Sequence, residues 1–141
     1  VTRPSPVWSD AWLGLPYADL GRSRAGADCW GLARLVYADE CGIPLPSYDE
    51  AYADPAEARE IERALSDREP WSDWRQVEQP QPFDLALFTR GGWRSHVGII
   101  VTGRLMLHMP RTGSCIAHLD RSRWGQRLAG IYRHRQMEDR P

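Results

Sequence analysis

The 141-residue chain, with 42% hydrophobic residues, seven Trp and five Tyr, has room for one domain around a single core and none for a second catalytic domain. Its 18 basic residues are all Arg and are balanced by 19 Asp and Glu to a formal net charge of −1, and without a dense basic block there is no drive toward nucleic acid. Three cysteines, Cys29, Cys41 and Cys115, cannot all pair within the chain and none lies in a C-x-x-C knuckle, so zinc is not expected.

The start, Val-Thr-Arg-Pro-Ser-Pro, lacks the charged end and apolar run of a secretory signal, and no apolar span is long enough for a membrane helix. The expectation is one soluble domain over residues 1–141 without an export signal of its own, although an upstream segment removed by processing stays open. Residues 1–13, rich in Pro and Trp, read as an N-terminal arm with at most one short helix near Ser9 to Leu13. A turn-rich loop, residues 21–26, follows.

Asp28 is a good N-cap, and Cys29, Leu32, Ala33, Val36 and Tyr37 form the apolar stripe of a half-buried helix. Gly42 and Pro44 stop it. Cys29 therefore sits on the first turn, where unpaired N–H groups and the helix dipole favour a thiolate. A second helix is expected from Asp54, where Asp54-Pro55-Ala56-Glu57 supplies a cap, a proline at the first position and a capping-box acid.

Short strands are expected at residues 74–77, 85–88, 96–101, 105–109, 115–119 and 129–133, divided by Gly, Pro or Asp. Short connections imply an antiparallel meander, and one helix packed on one sheet is an α+β fold. A thiolate needs a base and a proton donor, and imidazole serves as both. His96 opens one strand and His108 ends near the close of the next.

An odd loop, Thr102-Gly103-Arg104, pairs Val101 with Leu105 and Gly98 with His108, so both histidines share one face across a glycine. His96 is then the general base, and His108 the third member that orients it. The opposite face carries Val97, Ile99, Val101, Leu105, Leu107 and Met109 and needs a cover: the stretch from Trp71 to Trp74, a curl of the sheet, or a partner protein. Cys41 and Cys115 read as packing residues, Cys115 with no acid or histidine beside it. His118 and His134 fit partly exposed strand positions. Arg22 and Arg24 precede the nucleophile and suit substrate carboxylates, with surface ion pairing as the alternative. Trp8, Trp12 and Trp93 suit sugar stacking or partner docking, with packing as the default.

The ordered set Pro16-Tyr17, Gly21, Gly26-x-Asp28-Cys29-x-Gly31-Leu32, Pro82-x-Asp84-Leu85-x-Leu87-Phe88, Ser95-His96-Val97-Gly98-Ile99 and Leu107-His108 resembles the NlpC/P60 cysteine peptidases. Within that family it is most similar to the phage tail-tip members, which include the lambda tail protein K and the cell-wall peptidases of gene-transfer-agent particles. The resemblance implies a papain-like α+β fold with five or six strands, in which Cys29 faces His96 and His108. It also implies cleavage of peptidoglycan stem peptides between D-γ-glutamate and a diamino acid, with no metal or organic cofactor. By the same resemblance Tyr17 borders the active site and assists the oxyanion, and Asp28 is the acid before the nucleophile. Trp30 replaces the Ser of many cellular members and marks the phage type, beside the substrate groove.

The implied setting is a virion tail tip, made in the host cytoplasm and acting in the cell wall beside other tail-tip proteins. The competing reading is a tail-tip assembly component that keeps the fold with little or no activity. A third is a cellular amidase or transferase acting on another amide.

Overall fold

The computed structural model describes residues 8–46, 73–90, 93–121 and 124–138; the helix expected from Asp54 lies outside them. The chain enters through a 3₁₀ turn, Trp8–Trp12. This turn is built into the body of the fold: Trp12 is fully buried and its Nε1 donates to Glu40 Oε2 at 3.0 Å. Trp8 stacks on Phe83 with ring centroids 4.5 Å apart. For Trp8 and Trp12 the packing alternative therefore holds.

The loop before the nucleophile contains a small hairpin, β1 (Arg22–Ser23) and β2 (Gly26–Ala27). Helix α1 (Cys29–Val36) then starts at Asp28, whose Oδ1 accepts the Gly31 N–H at 2.7 Å. The stripe anticipated from the sequence is buried throughout. Beyond Val36 the helix widens into a π-helical turn, Tyr37–Cys41, and ends on Gly42 in the left-handed region (φ 69°), which glycine enters without a Cβ clash.

The remaining elements form one six-stranded antiparallel sheet: β3 (Trp74–Val77), β4 (Leu85–Arg90), β5 (Trp93–Thr102), β6 (Leu105–His108), β7 (Cys115–His118) and β8 (Leu128–His134). Its order is β3-β8-β4-β5-β6-β7. The simple meander expected from the short connections holds only from β4 to β7, because β8 returns to lie between β3 and β4. A buried ion pair holds that return. Arg133 on β8 donates to both oxygens of Asp84, each at 2.9 Å, and Asp84 is 1% exposed at the foot of β4. Losing Arg133 costs about 3–5 kcal/mol, since Asp84 is left buried without its partner.

The two sheet faces carry separate cores. Val97, Ile99, Val101, Leu107 and Met109 pack with Trp30, Leu32, Ala33 and Val36 of α1 and with Trp74. Ala86, Phe88, Ile100, Met106 and Ile131 pack on the other face with Leu119 and Trp124. The apolar face thought to need an outside cover is thus the one that α1 occupies, with Trp74 beside it. An amphipathic helix goes where the larger continuous apolar surface lies, and the second core gathers around Trp124.

His134 departs from expectation too. It is buried, edge-on to Trp74 at 4.8 Å and 6.2 Å from the Tyr37 ring, with Nδ1 accepting the Gln136 N–H at 3.1 Å. Burial pushes its imidazole below the ordinary value, against the pull of Asp73. The fold therefore holds a neutral ring, and the unfolded chain takes up the proton first as pH falls below about 6.5. The stability contributed by the neutral ring is full above that pH and is lost as pH falls through it. Denaturant titrations of the wild type and His134→Gln at several pH values should show the wild-type advantage shrinking below about pH 6.5; a pH-independent difference would contradict this.

Candidate active site

Cys29 occupies the first position of α1 and is 8% exposed. The helix tip that carries it is held by Asp28, whose Oδ1 accepts both the Gly31 N–H (2.7 Å) and Arg22 Nη1 (2.8 Å), while the same Arg22 nitrogen donates to the Gly21 carbonyl (2.8 Å). Burial pushes the Asp28 carboxyl up, against these hydrogen bonds and the Arg22 charge. Two glycines permit the close approach. A Cβ on Gly31 would meet Gly21 O at 2.1 Å, and one on Gly21 would meet Gly26 O at 2.2 Å. Both contacts are with backbone, which cannot swing aside.

His96 and His108 are buried together beside Trp124. His96 Nε2 and His108 Nδ1 lie 3.0 Å apart, with the rings nearly perpendicular at 87°. Gly98 pairs with His108 as the sequence anticipated. The route to that register differs from the expected one. Thr102, not Val101, pairs with Leu105, so the loop is the two residues Gly103 and Arg104, and a bulge at Val101 supplies the missing odd residue. A two-residue loop plus one bulged residue has the same parity as a three-residue loop, and the histidines stay on one face. A second irregularity, where Phe88 pairs with His96 but Thr89 with Arg94, falls immediately before His96.

Tyr17 is placed next to β2, the strand that leads into the nucleophile's helix, by a bridge to Ala27, two residues from Cys29. Its hydroxyl donates to Asp19 Oδ1 at 2.5 Å. Arg22 is committed to Asp28 and Gly21, so it braces the helix tip. Arg24 lies over the Trp12 ring at 3.8 Å and donates to the Ala11 carbonyl at 2.9 Å, with Asp39 at 3.9 Å. Trp30, expected beside the substrate groove, is fully buried, with its Nε1 donating to Pro46 O at 2.7 Å. Its position one residue past the nucleophile on a helix turns the ring into the core beneath the site.

Two neighbours of the imidazoles escape a reading of the sequence. Trp124 stacks on His96 with centroids 4.3 Å apart and planes 13° apart, and meets His108 edge-on at 5.5 Å. It lies in a turn, where no alternation signals a facing direction. Cys115, taken as remote from any histidine, is the cross-strand partner of His108, with Sγ 3.6 Å from Nε2. Placing it needs the β6–β7 register, which the irregular residues 109–114 conceal.

Comparison with known proteins bears on this arrangement. The family model described as NlpC/P60 family matches residues 14–133. Two curated relatives, each named probable endopeptidase p60, come from Listeria grayi (29% identical) and Listeria seeligeri (31%), both over 122 residues. Each alignment covers 86% of this chain and 20% of the relative, so the chain spans about a fifth of their length. Among solved structures, an NlpC/P60 family protein from Bacillus cereus ATCC 10987 is 25% identical with a TM-score of 0.65, over 89% of this chain and 37% of that one. The NlpC/p60 domain of the peptidoglycan hydrolase SagA, 20% identical with a TM-score of 0.59 over 87% and 90% of the two chains, shares the fold.

Burial and the bond to Asp19 push the Tyr17 phenol up to about 12. The fold thus keeps the proton that the free side chain loses near pH 10, and the phenol is a donor across the neutral range. With ¹³C-labelled tyrosines, the resonance missing from Tyr17→Phe should stay unshifted up to pH 11; titration near pH 10 would contradict the assignment.

Proposed function

Because the chain belongs to the NlpC/P60 family, we propose that it is a cysteine endopeptidase acting on the stem peptides of peptidoglycan. The observation that carries this reading is the buried His96–His108 pair, held by the β5–β6 register in the same chain as a thiol on a capped helix tip. The thiolate of Cys29 attacks the amide carbonyl and forms a tetrahedral intermediate, whose oxyanion the Cys29 backbone N–H and the Tyr17 hydroxyl stabilise. Donation from Tyr17 requires its proton to leave Asp19. Imidazolium His96 then protonates the departing amine, and the resulting thioester is hydrolysed by water that His96 activates.

His108 orients the His96 ring, and Trp124 stacked on that ring holds its plane. In the finer reading the bond cut is that between D-γ-glutamate and a diamino acid, and the enzyme rides on a phage tail tip, opening the wall locally for DNA delivery. The ordered motif set and Trp30 support that placement. The assembly alternative draws on an apolar sheet face open to a partner and on the Trp-rich N-terminal arm; α1 fills that face, and Trp12 and Trp8 of the arm pack into the fold. Arg22 is engaged at the helix tip, and Arg24, though half-exposed, makes the surface ion pair with Asp39 that is the alternative to a substrate carboxylate.

Incubation with defined muropeptides, read by mass spectrometry, tests the proposal. The wild type should release the cleaved stem peptide, Cys29→Ala should release none, and His96→Ala should be slower by roughly 10²–10⁴-fold. Intact substrate with the wild type, or cleavage that persists in Cys29→Ala, would overturn it.

A further inference from the structure

His96 has one ring nitrogen, Nε2, engaged by His108, so a proton taken from the Cys29 thiol must arrive at Nδ1. That is possible only in the tautomer that carries its hydrogen on Nε2, since the alternative neutral form already holds a proton on Nδ1. In the competent tautomer Nε2–H donates to His108 Nδ1, and His108 must then carry its own hydrogen on Nε2. That hydrogen points at Cys115, whose Sγ stands 3.6 Å away as the cross-strand neighbour on β7.

We propose that Cys115 is a positioning residue of this site, accepting the His108 Nε2–H through its sulfur and thereby locking both imidazoles in the tautomers that leave His96 able to take the nucleophile's proton. The proposal deepens the peptidase reading and rests on it for its kinetic consequence. No proton leaves the pair. His96 gains one at Nδ1, the hydrogens on Nε2 of His96 and of His108 stay where they are, and the sulfur serves only as an acceptor. Burial pushes the Cys115 thiol up from its ordinary value, which keeps it a thiol with a lone-pair acceptor at neutral pH and not a second thiolate competing for the imidazolium. If the S–H instead donated to His108 Nε2, the chain of hydrogen bonds would run backwards: His108 Nδ1–H would donate to His96 Nε2 and leave His96 unable to accept.

Cys115 is partly exposed on the outermost strand β7, so substitution there leaves the core intact. The test compares Cys115→Val, which keeps the side-chain shape without an acceptor, with Cys115→Ser, which restores an acceptor, and uses Cys115→Ala as a second deletion. With ¹⁵N-labelled histidine, the wild type and the serine variant should show His108 protonated at Nε2, and the valine and alanine variants a mixture of tautomers. With a muropeptide, kcat should fall roughly three- to tenfold in the valine variant with KM unchanged, and return to within about twofold of the wild type with serine. An unchanged His108 nitrogen pattern in the valine and alanine variants would overturn the proposal. The nitrogen signatures are read without substrate, so an inactive wild type would count against the peptidase reading alone.

Discussion

A 3.0 Å contact between two imidazoles, His96 Nε2 and His108 Nδ1, is the constraint on which the site depends. One hydrogen lies between the rings, so the state of each nitrogen fixes the state of the next, and the chemistry open to His96 is decided by what surrounds His108. The contact exists because Gly98 stands opposite His108: a side chain there would press on Met106 Sδ at 2.5 Å and on His108 Cβ at 3.4 Å. Register, glycine and the stacked Trp124 together keep the pair buried, where hydrogen bonds polarise one another more than they do in water.

The nucleophile is held by a different set of constraints. Asp28 caps the helix, Arg22 clamps Asp28, and Gly21 and Gly31 let the hairpin backbone lie against the first helical turn. All but Arg22 belong to the ordered motif set around Cys29, and their work is mechanical: they set where the tip of α1 lies. On the sheet, the Asp84–Arg133 pair performs the corresponding task by fixing where β4 begins relative to β8. Cys29 belongs to the core that includes α1, while Trp124, which stacks on His96, belongs to the second core.

The capped helix, the six strands and the pairing of Gly98 with His108 were legible because each follows from local periodicity, capping chemistry or the parity of one hairpin. What was hidden is non-local. Insertion of β8 beside β3 leaves no mark in either strand, since an antiparallel strand reads alike wherever it pairs. The side on which α1 docks depends on comparing two whole faces, and the bulge at Val101 imitates a longer loop. Trp30 and Arg22 were plausible substrate contacts by position, but a fully buried indole and an engaged guanidinium are revealed only by packing. Trp124 and Cys115 come from a turn and an outer strand whose placement no single motif encodes.

The central claim is that the Cys29 thiol and the His96 imidazole act as a coupled pair. The pH dependence of Cys29 alkylation by iodoacetamide, followed on the Cys29-containing peptide by mass spectrometry in the wild type and in His96→Ala, tests it most directly. A thiol that ionises well below the ordinary value of about 8.5, and moves back toward it when His96 is lost, is the predicted result. A thiol that titrates at the ordinary value and is indifferent to His96 would contradict it.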